Sequence, residues 1–333
     1  MRHKLSIFIL GLCLTLATNT RAASLSDDAR VWLVTYSPGN DMYTSYGHTA
    51  IRICDSVNNV DLLFNYGTFD FNTDHFYWKF VKGETWYELG VESPYRLFEK
   101  GVTYNGRKVY WQELNLTPDE RRTLWDALVE NALPQNKKYH YNFVFDNCAT
   151  RPYYMICQAC QDSIVSDYQG HIGCSYRSFI RQYTGGMSWV NAGINLIFGP
   201  QADRKMNSEQ RLFLPEELMN YFQHARRADT GEPLVIDSHI APFDAPHTPW
   251  YAIWPIGLVL YFLFVLGMSF YDHKRQKWSW WVELVGGIPY VLLLLLVAFL
   301  TFFSCHPLIG FGWRLLIIPI THLCARIVYI IRW

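Results

Sequence analysis

Charge is what this chain has little of. Only 17% of its 333 residues are Asp, Glu, Lys or Arg, against about 25% in an ordinary globular domain. No net charge remains either, since 29 basic residues meet 29 acidic ones. Without a basic surplus there is nothing to neutralise a phosphate backbone, so a nucleic-acid binder is excluded. Internal repeats and low-complexity tracts are missing as well. With 50% hydrophobic residues, the chain is also not the polar, charge-rich kind that stays unfolded. What it has instead is 17% aromatics and a mean hydropathy of -0.02.

That hydropathy is an average over unlike parts. Residues 1–23 carry Arg2, Lys4 and Arg21 and no acid, residues 24–249 carry seven more acids than bases, and residues 250–333 carry six bases and two acids. The first part reads as a secretory leader, with a basic start, an apolar run from Leu5 to Ala17 and small Ala22 and Ala23 for cleavage. An uncleaved N-terminal anchor is the alternative. Leu12 before Cys13 is too large for a lipoprotein-type cleavage. In the last part, residues 250–271 and 284–303 contain no charge, and about 20 apolar residues cross a hydrocarbon core of roughly 30 Å. A third, weaker span covers 311–331, with His322 and with Arg326 near its end, where a long side chain can snorkel to the interface. Trp250, Trp254, Trp278, Trp280, Trp281 and Trp313 flank the spans as an interfacial belt does. Lys274, Arg275 and Lys277 sit in the first short loop and none in the second, which places the first loop in the cytoplasm. A cleaved leader gives the same topology independently.

The exported part, 24–240, is expected to be one α+β domain. Short β-favouring runs at 31–35, 49–54, 62–66 and 109–114 are separated by turn residues. A helix is predicted from Thr117, with Pro118 first and Glu120 completing a capping box, ending before Pro134. A second is predicted from near Cys148 to about Cys160, capped by Asp146 or Asn147, and a third over 214–225. Residues 241–249 hold three prolines and read as an extended tether.

Two stretches can carry chemistry. Cysteine catalysis needs a thiolate and a base beside it, and a thiol at a helix start faces unpaired amides that favour its anion. Cys148 is predicted in that position. His48 stands at the entrance of a strand, after a glycine. A third residue often orients the base; Asn65, with Tyr66, lies on the strand expected to pair with that of His48, although Asn65 can equally be a turn-flanking residue with local bonds. The exported Cys54, Cys148, Cys157, Cys160 and Cys174 are odd in number, so one thiol has no intrachain partner. Cys157-x-x-Cys160 has no second pair and no spaced histidines, which argues against zinc and for a disulfide with Cys174 or burial on a helix. His75, His140 and His171 are scattered and read as structural. The aromatic run through 64–80 suits a surface that touches lipid, and equally a packed core.

Four blocks then carry a resemblance: YGHTAIRI (46–53), FNYGTFDF (64–71), FYWKFVKG (76–83) and FVFDNCATR (143–151). Together and in this order they resemble the Lnb lipoprotein N-acyltransferases of Bacteroidota, from about Ser26 through FLPEEL (213–218) into the spans. The resemblance implies an exported papain-like cysteine domain, circularly permuted so that His precedes Cys, followed by membrane helices. It implies Cys148 as nucleophile and His48 as base, a phospholipid acyl donor, a diacylated lipoprotein acceptor, and residence in the bacterial inner membrane facing the periplasm. No cofactor and no metal are implied. An exported cysteine amidase acting on cell-wall peptide, and a non-catalytic membrane scaffold, are the competing functions on the residues alone.

Overall fold

The β-branched and aromatic runs form strands where expected, three of them slightly longer than expected and the fourth, Val109–Leu114, over the expected residues. In the computed structural model, residues 24–39, 44–70, 72–95, 106–185, 188–244 and 250–330 are described; the leader lies outside them, as do tether residues 245–249. The strands are β1 (Arg30–Tyr36), β2 (His48–Asp55), β3 (Val60–Thr68), β4 (Trp86–Glu92), β5 (Val109–Leu114), β6 (Lys138–His140), β7 (Ile164–Ser166), β8 (Ala225–Arg227) and β9 (Val235–His239). Seven make one sheet in the order β6-β4-β3-β2-β1-β5-β9, every pair antiparallel, and β7 and β8 pair separately. The domain is mixed α+β. β4, β6, β7, β8 and β9 were not among the expected strands; WYELGVE of β4 does alternate, while the others are short.

The helices of this domain are α1 (Phe76–Lys82), α2 (Pro118–Ala132), α3 (Thr150–Ala159), α4 (Tyr176–Tyr183), α5 (Trp189–Ile197) and α6 (Pro215–Gln223). α2 starts as its sequence dictates: Thr117 accepts from the Glu120 amide and the Glu120 carboxylate accepts from the Thr117 amide. Its Leu124, Trp125 and Leu128 are buried with Val31, Leu33, Ile51, Ile53 and Phe64 on one face of the sheet. α3 packs there too, burying Cys157 and Cys160. All seven cysteines among the described residues are free thiols, so the CxxC pair is core material. The alternation of period two sends Trp32, Val34, Tyr36, Ala50 and Leu63 to the other face. α6 stops at Gln223, short of the expected 225, because Ala225 enters β8.

The C-terminal part holds α7 (Trp254–Arg275), α8 (Trp280–Phe303) and α9 (Ile317–Ile330). The first two are long and apolar enough to cross a membrane. The third expected span is a 14-residue helix, about 21 Å at 1.5 Å per residue. Arg326 does not snorkel from its end. It is 2% exposed, with Nη1 3.0 Å from Asp272 and 3.3 Å from Ser269 Oγ, and Nε 2.8 Å from Glu283. Glu283 also meets His322 at 2.6 Å, whose other nitrogen lies 3.0 Å from the Tyr261 hydroxyl. The cation, carried by α9, is held between the three helices because α7 and α8 each supply one carboxylate close to the loop that joins them.

This cluster yields a test. Arg326→Met leaves Asp272 and Glu283 without their shared cation, and breaking a buried pair in this way costs about 3–5 kcal/mol. The thermal midpoint of the full chain in detergent is expected to fall accordingly, and Asp272→Asn added to Arg326→Met is expected to recover part of the loss. An unchanged midpoint in the single variant would show that Arg326 contributes no net clamp.

Candidate active site

Asn147 builds the start of α3. Its side-chain oxygen accepts from the amides of Ala149 (2.8 Å) and Thr150 (2.9 Å), while its amide donates to the carbonyls of Phe143 (2.7 Å) and Phe213 (2.8 Å). The Thr150 hydroxyl in turn accepts from the Asn147 amide at 2.8 Å. This double turn delays the first helical residue to Thr150, two positions later than expected. Cys148 sits in the turn itself, half-buried.

His48 opens β2, directly after Gly47. Gly47 has φ +80°, and a Cβ there would lie 2.8 Å from the Tyr36 carbonyl and 2.9 Å from the Phe243 ring, so only glycine lets the chain enter the strand at this angle. Period two then places His48 on the same sheet face as Ala50. Asn65, on β3 with Leu63, shares that face, and its side-chain oxygen lies 2.5 Å from His48 Nε2. An amide oxygen only accepts, so Nε2 carries the proton and Nδ1 keeps its lone pair.

Gly67 brings the pieces together. It sits at a register shift between Tyr66 and Thr68 with φ +92°, and a Cβ built on it would be 3.5 Å from Cys148 Cβ and 3.8 Å from His48 Cε1. The thiol and the imidazole therefore flank one small notch at the end of the sheet, and Asn65 stands behind the imidazole. Sequence reasoning named all three residues and set Asn65 on the strand beside His48, but could not bring Cys148 to them.

The electrostatics are those of a neutral pair. Burial pushes the Cys148 thiol up to about 11, opposed by the Thr49 amide hydrogen bond, by the Arg107 guanidinium and by its own amide. Burial also lowers His48 to about 4, with the Asn65 bond opposing and Arg107 adding to the fall. Arg107 is 9% exposed and donates to the Ser37 carbonyl at 2.7 Å, its guanidinium 5.5 Å from the Tyr36 ring. It is the site residue that sequence reading missed: its loop has no periodicity to read, and only the fold brings it to the pair. Tyr87, Tyr139 and Tyr141 lie within electrostatic reach of the thiol, and burial raises all three. The other scattered histidines are elsewhere: His75 precedes α1, His140 stacks on Trp86, and His171 bonds Glu217. Beyond Tyr36, whose ring is 6.2 Å from His48, the same sheet face carries a groove of about 670 Å3 where Trp32, Leu63 and Trp111 stand among the charged Arg30, Arg52 and Glu113.

A helix-start thiol, an imidazole with its lone pair free and an amide holding that imidazole define a site equipped for a cysteine nucleophile, carried by a domain joined to membrane-capable helices. A model of the Lnb N-terminal periplasmic domain matches residues 17–185, more than half of the chain and all three site residues. The chain belongs to the Lnb family, whose membership places this domain in the periplasm and the protein in lipoprotein processing. No curated protein and no solved structure matches it.

Two expectations follow. With His48 neutral above about pH 4, a base-dependent reaction of Cys148 has its acid limb near that value and no limb near 6.5. Iodoacetamide alkylation of Cys148 is expected to keep rising toward alkaline pH; a plateau between about pH 5 and 8 would instead mean a thiolate–imidazolium pair. Gly67→Ala puts a methyl group into the notch and an L-residue at a left-handed φ, and is expected to slow the reaction of Cys148 with any ester by about tenfold or more through misplacement of the reacting carbonyl. Single-turnover acylation measured by intact-protein mass spectrometry reads this directly.

Proposed function

We propose that the protein is a lipoprotein N-acyltransferase with a permuted papain-like domain, moving a fatty acyl chain from a phospholipid to the α-amine of a diacylglyceryl-cysteine. The observation that carries the reading is the thiol of Cys148 and the imidazole of His48 on either side of the Gly67 notch, with His48 Nε2 bonded to Asn65 at 2.5 Å. Family membership supports the setting. The His, Asn, Cys order along the chain agrees with the permuted arrangement.

In this reading His48 Nδ1 takes the thiol proton as sulfur attacks the ester carbonyl, so that charge appears only as the bond forms. The amides of Thr49 and Cys148, which already face the sulfur, are placed to receive the charge when it moves to the carbonyl oxygen. Arg107 adds a fixed positive field. Collapse breaks the glycerol C–O acyl bond, and the imidazolium returns its proton to the departing lysophospholipid oxygen. The thioester is then attacked by the lipoprotein amine, whose proton passes to His48 and on to the Cys148 sulfur as it leaves. An amide has formed and the thiol is restored, with Cys148 as nucleophile, His48 as acid and base, and Asn65 as a positioning residue.

The membrane-capable helices that follow the domain support a lipid substrate over a cell-wall peptide. Cys148→Ser is the test. In cells that depend on this gene for N-acylation, mass spectrometry of one lipoprotein's N-terminal peptide is expected to lose the mass of the third acyl chain. Retention of that chain sinks the reading, and loss of a peptidoglycan cleavage instead would establish the amidase.

A further inference from the structure

The aromatic run read as either lipid-touching surface or core divides between the two. On α1 the rings of Tyr77, Trp78 and Phe80 are 75%, 57% and 50% exposed, whereas Phe76 on its underside is 6% exposed. A short helix with three large rings turned outward is costly in water. It is suited to the headgroup level of a bilayer, where amphipathic rings collect.

The structure puts α1 at that level. Trp78 packs on Phe299 near the end of α8, ring centres 5.1 Å apart, beside Phe302 and Phe303, themselves exposed. Where the chain leaves α8, the Cys305 amide donates to the Lys82 carbonyl at 2.8 Å and His306 Nε2 donates to the Phe80 carbonyl at 2.9 Å. Gly83, at φ +73°, lets the two backbones approach; a Cβ there would lie 3.3 Å from the His306 nitrogen. α5 does the same at the neighbouring span. Its exposed Trp189 fills the space that a side chain at Gly257 would take near the start of α7, and the Ile197 carbonyl accepts from Gly310 at 3.0 Å. The start of α7 and the end of α8 belong to the same side of an antiparallel pair, so both exposed-ring helices stand at one rim of the spans.

The underside of α1 leads to the thiol. Phe76 stacks on Phe69 at 5.6 Å, Phe69 meets Tyr87 at 4.9 Å, and Tyr87 stacks on Tyr141 at 4.1 Å; Tyr87 and Tyr141 lie within electrostatic reach of Cys148. One face of α1 thus adjoins the site and the other adjoins the lipid-facing surface of α8.

We propose that α1 is a lipid-seated lip: Tyr77, Trp78 and Phe80 lie among the headgroups and upper acyl chains of the leaflet, and the phospholipid donor reaches Cys148 over this helix. The identity of the donor rests on the acyltransferase reading; the seating of α1 in lipid does not. The test uses the full chain reconstituted in vesicles of phosphatidylethanolamine and phosphatidylglycerol. Benzoylphenylalanine replaces Tyr77 in one sample and, in another, Val57, 64% exposed in the turn at the opposite end of the sheet. Irradiation is expected to give phospholipid adducts at 77 and not at 57. Equal adducts at both, or adducts at 77 only to a second copy of the chain, overturn the seat.

The second arm compares donors. Tyr77→Ser, Trp78→Ser and Phe80→Ser together are expected to slow acylation of Cys148 by vesicle phospholipid by about tenfold or more, while acylation by a soluble short-chain thioester stays within about twofold. A parallel fall in both rates, or no fall in either, overturns the lip as the donor's route. Adducts at 77 in a chain that no phospholipid ever acylates would defeat the acyltransferase reading and leave the lipid seat standing.

Discussion

Everything the site can do depends on where Asn147 holds the first turn of α3. One buried side chain closes two orphan amides of that helix and two carbonyls from separate segments, Phe143 before it and Phe213 far after it. Such groups cost about 1–3 kcal/mol each when buried without a partner, so the turn has one favourable arrangement. Cys148 has no freedom left within it. Its sulfur is presented to the amide of Thr49, the residue after His48, and Cys148 is thereby registered against the strand that carries His48.

The same packing explains what the sequence could and could not reveal. Thr117, Pro118 and Glu120 announce α2 because a capping box is local chemistry. The apolar runs of β1, β2, β3 and β5 announce the sheet because alternation is local too. The meeting of Cys148 with His48 crosses about a hundred residues, and no spacing rule encodes it. Gly67 is the clearest case: within FNYGTFDF it looks like a turn glycine, yet its missing Cβ is what leaves the notch open. Arg107 was invisible for the same reason, since its value lies wholly in what it stands beside. α4 and α5 were missed because each is short and needs its tertiary packing to be stable.

Arg326 illustrates the opposite error. A cation near the end of a weak apolar segment is expected to reach for the interface, and that expectation considers one helix alone. Asp272 and Glu283 are the only acids in the last 84 residues, and both end on the single buried arginine. The near-absence of charge from this part of the chain is therefore more complete than the composition suggests, because three of its eight charges are spent on one another. What remains basic lies largely at the α7–α8 loop.

Low charge also bears on the chemistry. A neutral thiol and a neutral imidazole are the states that a buried, tyrosine-walled notch favours, because an ion pair there would lose its hydration. Such a pair is a poor nucleophile toward a reagent that needs a standing thiolate. Toward an ester whose carbonyl oxygen enters beside the Thr49 and Cys148 amides, proton transfer and bond formation can proceed together, and the negative charge is created where donors and Arg107 already point. The low charge around the site and the suppressed ionisation of its thiol go together, because burial away from water disfavours the thiolate. In the proposed reaction a phospholipid would bring its own apolar chains into the notch, displace the remaining water and strengthen those fixed dipoles, where a short soluble ester would do less of this. Selectivity for lipid can arise from the ionisation state of the site itself, in addition to any shape that an acyl chain fits.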